Sequence, residues 1–457
     1  MNFNGAENVS NDLGMKVQSI QVTAVLSQYD HSIEFADGNN FVIIYGPNGV
    51  GKTKFLEVVD AISDLQWSSL LRMPFGTATI TYANGATLMA SRVLEVPMEG
   101  DETETILNFE LAVPGKEVAT WKISGQETTR FENWLQRETS WSPIGSRLWR
   151  DQSDGEIAEG AELEVRFRNA RVHGGGSKRP KAPEALEMFA GNLKTHLIET
   201  QRLRLEEYRD NQVRNHPGER RVSSTIVEYA GGMQRLLSNA LAENSRITQQ
   251  LDRTFPSRML AQRSPTSSET DIRQKYELQD KFRSRLAQIA LIGLEPELSL
   301  PERQLEPFEI LMLDLYLKDA DNKLESFEGL LSKIELLEQV VNSRLLGKKL
   351  HVNAQDGLAI RRDVDNVPIA LDKLSSGEQH ELILMYGLLF NVEPGTLVLI
   401  DEPEISLHVS WQIKFISDVQ KISKLADFQF VVATHSPQII NDWWAFAKRL
   451  GPADADF

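Results

Sequence analysis

The chain has 457 residues, with 49 basic and 65 acidic side chains, so its formal net charge is −16. Hydrophobic residues make up 41% and charged residues 25%, which excludes disordered and collagen-like chains and argues against a surface that is basic throughout. The absence of cysteine excludes disulfides, thiol catalysis and cysteine-ligated metals. Because the N-terminus is polar and no apolar run approaches the roughly 20 residues that span a bilayer, we expect a cytoplasmic protein without membrane contact.

The first predicted elements lead into a glycine-rich loop. Val17 to Leu26 and Ile33 to Phe35 are typical of strands, and the apolar run from Phe41 to Tyr45 is typical of a buried one. A helix is predicted from Lys54 to Ile62. The residues between the buried strand and this helix are Gly46, Pro47, Asn48, Gly49, Val50, Gly51, Lys52 and Thr53.

This strand, loop and helix match the G-x-x-x-x-G-K-[ST] phosphate loop, so all of the loop residues are predicted to bind a nucleotide. The glycines let backbone N–H groups face phosphate oxygens, and the N-terminus of the helix adds positive potential. Lys52 is predicted to reach the β- and γ-phosphates, and Thr53 to place its hydroxyl on Mg²⁺.

The next segment predicts a β-rich lobe. Thr77 to Val93 is typical of a hairpin that turns at Asn84-Gly85, and Thr105 to Ile123 of a second hairpin that turns at Pro114-Gly115. Glu127 to Arg171 shows no regular pattern and is expected to be irregular.

Helical character dominates from Ser223 to about Leu346. Alternating three- and four-residue spacing of apolar side chains predicts a seam, interrupted by the polar residues Asn244 and Glu338. Residues 254–269, which contain Pro256, predict a turn between two stretches. The pattern fits a helical arm that goes out and returns, and it equally fits a helical subdomain packed on a core. The apolar seam positions are Met233, Leu237, Ala240, Ile247, Leu251, Leu317, Ala320, Leu324, Phe327, Leu331, Ile334, Val341 and Leu345.

Two acids follow a buried strand near the C-terminus. After short strands near Leu350–Val352 and Leu358–Arg361, the apolar run Thr396–Ile400 ends in Asp401 and Glu402. The carboxyl end of such a strand is where α/β sheets bind ligands. Together with the phosphate loop, this pattern predicts that Asp401 holds Mg²⁺ and that Glu402 polarises the water that attacks the γ-phosphate of ATP.

A serine- and glycine-containing segment, Leu374 to Gln379, opens a predicted helix that runs to Phe390. Ser375 with Glu378 fits an ordinary capping box. The position of the segment shortly before the paired acids favours anion binding instead, since Ser375 offers a hydroxyl and the start of a helix stabilises negative charge.

These motifs together resemble those of ABC-type ATPases, whose signature is usually LSGGQ or LSGGE. Here Ser376 replaces the first of the two glycines. The resemblance implies that Ser375 and Gly377 contact the γ-phosphate of a nucleotide held by a second subunit. It also implies that His435, which follows the predicted strand Phe428–Ala433, is the switch histidine.

The long helical segment between phosphate loop and signature resembles the SMC, RecF and break-repair branch of this family. The stretch from Glu402 to Gln412 is more similar to OLD-type and bacterial anti-phage ATPases. The usual D-loop acid is missing there, and His408 stands in its place. Gln201, within Ile198–Leu203, resembles the Q-loop glutamine, which implies contact with Mg²⁺ and the attacking water. A structural Gln-Arg pair is the alternative.

We therefore expect an α/β fold in which both chain ends form an ABC-type ATPase head, with an inserted β-rich lobe and a coiled-coil-like helical arm. The predicted segments are 1–222, with half of the head and the lobe, 223–347 for the arm, and 348–457 for the rest of the head. The expected activity is hydrolysis of ATP with Mg²⁺. The predicted catalytic residues are Glu402, Gln201 and His435, and the predicted metal-site residues are Thr53, Asp401 and Gln201.

The resemblance also implies partners. It suggests a homodimer, or a higher oligomer, with ATP between the heads. It further suggests the sensor or scaffold of an anti-phage complex, as with the AriA ATPases of PARIS and the PtuA ATPases of Septu. A phage protein or a nucleic acid would be the trigger. Because the given sequence ends soon after His435, a Toprim- or HNH-type nuclease is expected as a separate chain.

The alternative is a DNA-repair or chromosome-maintenance ATPase of the RecF or SMC type that binds DNA directly. Basic runs at Arg166–Lys181 and Gln201–Arg221 fit phosphate contacts, but they equally fit solvated loops on an acidic protein. The net charge of −16 argues mildly against direct DNA binding. The long helical segment argues against a third class, the ATPase subunit of a transporter.

Overall fold

The computed structural model describes residues 15–36, 38–95, 104–144, 148–153, 155–160, 163, 166–167, 182–199, 225–261, 264, 267–290, 300–405 and 407–452. The chain divides into two compact units. The first unit joins both ends of the chain, up to residue 202 and from residue 392, and the second comprises residues 203–391.

The described strands and helices are numbered here in chain order. The strands are β1 Val17–Val25, β2 Tyr29–Glu34, β3 Phe41–Tyr45, β4 Thr77–Tyr82, β5 Thr87–Glu95, β6 Glu104–Ala112, β7 Ala119–Ser124, β8 Trp141–Pro143, β9 Leu148–Asp151, β10 Ile157–Glu159, β11 Thr195–Glu199, β12 Lys348–Asn353, β13 Gly357–Arg362, β14 Pro368–Ile369, β15 Leu397–Asp401, β16 Gln429–Thr434 and β17 Ala447–Arg449. The helices are α1 Lys52–Ser63, α2 Trp67–Arg72, α3 Gln126–Glu138, α4 Glu184–Asn192, α5 Thr225–Ala261, α6 Glu269–Ala290, α7 Pro307–Asn342, α8 Ser376–Tyr386, α9 Val409–Ala426 and α10 Pro437–Ile440.

A parallel sheet in the first unit has the strand order β11-β15-β16-β3-β17. Its central strands β3, β15 and β16 are mostly apolar and are buried along almost their whole length, as is usual for parallel sheets covered on both faces. Leu399 of β15 lies opposite Val431 of β16, which lies opposite Val42 of β3. This register brings the carboxyl ends of β3, β15 and β16 to one edge of the sheet.

A six-stranded antiparallel sheet, in the order β2-β1-β4-β5-β6-β7, forms the β-rich part of the same unit. Both predicted hairpins are confirmed, and Gly85 has the positive φ of +80° that the turn after Tyr82 requires. The two sheets are joined by Gln429. Its side-chain oxygen accepts from the N–H of Val17 at 2.7 Å, and its amide donates to the Val17 carbonyl at 2.9 Å.

The expectation of an irregular segment after residue 127 was wrong for its described residues. Helix α3 and a small sheet, β10-β9-β8, form there. Their aromatic side chains pack into a core of their own, which includes Phe131, Trp141 and Trp149. The three strands have only three or four residues each, which is too short to show a period of two, so the pattern gave no signal for this sheet.

The second unit contains the long helices α5, α6 and α7. The predicted seam is confirmed along α7, where Leu317, Phe327 and Ile334 are buried. Both polar interruptions have partners. The Asn244 amide donates to the carbonyl of Lys323, and Glu338 accepts from the backbone N–H of Val352 at 2.9 Å.

The turn predicted to begin at Thr254 was placed too early, because α5 continues through Pro256 to Ala261. Arg258 secures this last part of the helix. Its guanidinium donates to the Leu251 carbonyl at 2.9 Å and pairs with the buried carboxylate of Asp319 on α7. The bond to Leu251 lies within α5 and the ion pair with Asp319 is tertiary, and both help to stabilise the helix where Pro256 cannot donate a backbone hydrogen bond.

The predicted α/β fold is confirmed in its main features, with a head built from both chain ends, an inserted antiparallel sheet and long helices. Across the described ranges, we find no helix with the length and apolarity needed to span a membrane.

Candidate nucleotide site

The phosphate loop lies at the carboxyl end of β3 and leads directly into α1. Gly49 and Gly51 have left-handed backbones, with φ of +82° and +89°. A Cβ at Gly51 would lie 2.6 Å from Cγ1 of Val25, and one at Gly46 would lie 2.3 Å from the Leu450 carbonyl oxygen. Close packing therefore requires glycine at both positions. Gly49 faces open space instead, which leaves that part of the loop accessible to a ligand.

The side chain of Lys52 lies inside the curl of the loop. Its ammonium donates to the carbonyl oxygens of Gly46 at 3.0 Å and Pro47 at 3.1 Å, and it lies 3.4 Å from Nδ1 of His435. Burial lowers the pKa of Lys52, and the nearby carboxylates, Glu402 first, oppose that shift. A buried cation held by weak carbonyl acceptors fits an incoming phosphate, which is a stronger, charged acceptor.

Thr53 and Asp401 bring the first and last parts of the chain together. The Thr53 hydroxyl donates to Oδ2 of Asp401 at 2.8 Å. In the parts of the chain that the structure describes, no group of three or more His, Asp or Glu side chains could by itself hold a metal. One hydroxyl and one carboxylate fit Mg²⁺, which binds one or two protein oxygens, phosphates and water rather than a protein cage.

Glu402 and His435 lie beside the phosphate loop. Glu402 has a left-handed backbone with φ of +46°, a conformation uncommon for a residue with a Cβ and often found at functional sites. Its carboxylate lies 3.5 Å from Nε2 of His435. Burial, and then the charge of Lys52, lowers the pKa of His435, while Glu402 and Glu404 oppose the shift. The lowered pKa favours the neutral imidazole, whose Nδ1 faces Lys52 and whose Nε2 faces Glu402.

Glu404 had no predicted role, although it lies within the stretch from Glu402 to Gln412 that carries the resemblance. Its carboxylate accepts a hydrogen bond from the backbone N–H of His435 at 2.6 Å. The only sequence signal was a third acid two residues after Glu402. Acids at such spacing are common, so the contact becomes visible only in the folded chain.

Of the predicted site residues, the loop, Lys52, Thr53, Asp401, Glu402 and His435 come together at this sheet edge. Gln201 lies outside the described residues. The strand before it, β11, pairs in parallel with β15, and Glu199 lies opposite Asp401. Gln201 follows Glu199 by two positions in the sequence. Because Gln201 itself lies outside the described residues, its role stays a prediction.

The signature segment lies in the second unit, where Ser375 caps α8. The Ser375 hydroxyl accepts from the N–H of Glu378 at 3.4 Å, and the Glu378 carboxylate accepts from the N–H of Ser375 at 3.0 Å. The capping box is thus confirmed, while nucleotide contact by Ser375 and Gly377 stays a prediction. His408, in the place of the D-loop acid, caps α9 by accepting from the N–H of Ser410 at 3.3 Å.

A phosphate loop, an acid pair and a histidine at the carboxyl edge of one parallel sheet define a P-loop ATPase. A family model described as an AAA ATPase domain, AAA_15, matches residues 15–440, and the chain belongs to this family.

The chain is also similar to a protein named Retron Ec83 probable ATPase, from Escherichia coli. The two are 36% identical over 135 residues, which are 27% of this chain and 24% of that protein. The match thus spans about a quarter of the relative's length.

Among solved structures, the SMC head domain from Thermotoga maritima matches 96% of this chain and all of its own, at 12% identity and a TM-score of 0.34. An SMC head domain from Pyrococcus furiosus, bound to the C-terminal domain of ScpA, matches 93% of this chain and 90% of its own, at 14% identity and a TM-score of 0.31.

Proposed function

We propose that this protein is a Mg²⁺-dependent ATP hydrolase whose reaction takes place at the carboxyl edge of the parallel sheet. The observation that carries the proposal is the meeting of Lys52, Thr53, Asp401, Glu402 and His435, which come from three separate segments. The site contains groups suited to three different chemical tasks, namely phosphate binding, metal binding and activation of water.

Each side chain has a role that follows from its position. Lys52 exchanges its carbonyl partners for the β- and γ-phosphates. The Thr53 hydroxyl and the Asp401 carboxylate hold Mg²⁺, which neutralises charge on the phosphates when bound. Glu402 accepts a proton from the attacking water. His435, beside Lys52 and Glu402, can donate from Nε2 and so orient that carboxylate or the γ-phosphate.

Gln201 and the signature complete the proposed site. Gln201, just past the end of the strand next to β15, is proposed to contact Mg²⁺ and the attacking water. Ser375 and Gly377, at the N-terminus of α8, are proposed to bind the γ-phosphate of a nucleotide held by a second copy. ATP would then join two heads, and hydrolysis would release them.

At the cellular level we propose the sensor or scaffold of an anti-phage complex that controls a separate nuclease of the Toprim or HNH type. The similarity to the protein named Retron Ec83 probable ATPase supports this role.

The test is digestion of plasmid DNA and tRNA by the purified chain with Mg²⁺ or Mn²⁺, alongside an ATPase assay. We expect ATP hydrolysis without cutting of either nucleic acid, and cutting only after a partner nuclease is added. Reproducible cutting by the chain alone would contradict the division into ATPase and nuclease. Strong stimulation of the ATPase by DNA alone would favour the DNA-maintenance alternative.

A further inference from the structure

The backbone of His435 is held by a side chain from a different segment. His435 is the first residue beyond β16, so its N–H needs an acceptor outside the strand. One carboxylate oxygen of half-buried Glu404 accepts that N–H at 2.6 Å. A hydrogen bond to a charged acceptor in such a setting is short and strong, so it fixes the orientation of the His435 peptide.

Gln412 closes a small network around this contact. Its amide donates to the backbone carbonyls of Glu404 at 3.3 Å and Leu407 at 3.1 Å. Its oxygen accepts from the hydroxyl of Ser436 at 2.7 Å. Gln412 and Ser436 are 8% and 9% exposed, so water competes little for these bonds. The residues on both sides of the Glu404–His435 bond are therefore locked to each other.

The consequence reaches the imidazole of His435. Its ring lies between Lys52, 3.4 Å from Nδ1, and Glu402, 3.5 Å from Nε2. A change in the peptide orientation at His435 would move the ring relative to both groups. Since Glu402 is the proposed acceptor for the proton of water, such a movement would disturb hydrolysis without removing a phosphate ligand.

We propose that Glu404 is a positioning residue for ATP hydrolysis. Gln412 holds the backbone of Glu404, and the Glu404 carboxylate fixes the His435 backbone so that the imidazole stays between Lys52 and Glu402. The inference rests on the proposed ATPase function. It deepens that function by adding a residue that acts through its hydrogen bond rather than its charge.

Two mild substitutions separate the hydrogen bond from the charge. Glu404→Gln keeps a side-chain oxygen at the same reach and loses the charge, whereas Glu404→Asp keeps the charge and is too short to reach the His435 N–H. Glu393→Gln is the charge-matched control, because Glu393 is an exposed acid of the same unit that pairs with Lys194. For each purified full-length variant, the measurements are kcat and KM for ATP, together with hydrogen exchange at the His435 amide.

We expect Glu404→Gln and Glu393→Gln to keep kcat within a few-fold of the wild type. Glu404→Asp should lose about tenfold to a hundredfold in kcat, the scale for a misplacement of about 1 Å, with little change in KM. The His435 amide should exchange slowly in the wild type and in Glu404→Gln, and faster in Glu404→Asp.

The opposite pattern, with Glu404→Asp active and Glu404→Gln inactive, would assign the effect to charge and overturn the proposal. Full activity in both variants, or equal loss of kcat and ATP affinity in Glu404→Asp, would overturn it as well. Hydrogen exchange tests this inference independently of the ATPase proposal. A wild type that hydrolyses no ATP would refute the ATPase proposal, and rapid exchange at His435 in the wild type would refute the anchoring.

Discussion

Two regions of this chain present groups suited to phosphate, and they are built in different ways. The edge of the parallel sheet collects side chains that are distant in sequence, such as Thr53 and Asp401 at 2.8 Å. The N-terminus of α8 is organised by Ser375 and Glu378, which are neighbours in sequence. The first region combines groups from three separate segments, whereas the second offers an exposed serine and a helix end. We propose that the first region binds the nucleotide and that the second completes a site on a second copy.

The largest effect is expected at the sheet edge. Lys52→Ala removes the cation inside the phosphate loop and with it a charge-assisted phosphate contact, so ATP binding and hydrolysis should both fall to background. Binding can be followed by calorimetry. The control is Lys54→Ala, which removes an exposed lysine of the same helix that pairs with Glu57. Tight ATP binding by Lys52→Ala would mean that the loop does not hold the phosphates.

Glu402→Gln should separate binding from hydrolysis. Lys52, Thr53 and Asp401 remain, so ATP affinity should stay within a few-fold of the wild type. Loss of the proton acceptor should lower kcat by about 10²- to 10⁴-fold. An ATP-bound dimer should then live longer, which light scattering with and without ATP would show. Normal turnover in this variant would show that Glu402 is not the proton acceptor for the attacking water.

Ser375→Arg tests the second region. We expect nearly normal ATP binding, because the phosphate loop is untouched, and a fall in hydrolysis of roughly 100-fold, the scale for losing one preorganised donor. Ser343→Arg makes the same change at another exposed serine of the second unit and should leave hydrolysis unchanged. A mixture of Ser375→Arg with Lys52→Ala should regain activity, since each mixed dimer has one intact composite site.

Equal loss of binding and hydrolysis in Ser375→Arg would contradict this division of labour. It would mean that Ser375 belongs to the nucleotide site of its own subunit, or that Ser375 is needed for the stability of the second unit. Failure of the mixture to regain activity, with exchange of subunits verified by labelling, would contradict the composite site.

The smallest effect concerns pH. In the unfolded chain His435 takes up a proton near its usual pKa of about 6.5, whereas burial and Lys52 hold the pKa lower in the folded protein. The unfolded state therefore binds more protons as pH falls below about 6.5, and the free energy of unfolding decreases. His435→Gln should remove this part of the pH dependence. Thermal unfolding midpoints of both proteins at pH 7.5 and 5.5 would measure it, and identical slopes would contradict the assignment.

The local patterns of the sequence determined much of the fold. The buried runs at Phe41–Tyr45 and before Asp401 became strands of one sheet, because continuous apolar runs between turn signals suit a sheet covered on both faces. The seam along α7 was confirmed for a related reason: the three- and four-residue spacing of apolar side chains directly indicates which face of a helix is buried. The capping box at Ser375 needs only residues within one turn of helix, so the sequence contained all of it.

Only the tertiary structure decided which distant groups touch. The sequence placed Glu404 two residues after Glu402, but its bond to the N–H of His435 depends on the register between β15 and β16. The need for glycine at Gly46 arises from the Leu450 carbonyl, a contact that no local pattern records. Such contacts depend on how the strands are ordered in the sheet, and short-range periodicity carries no information about that order.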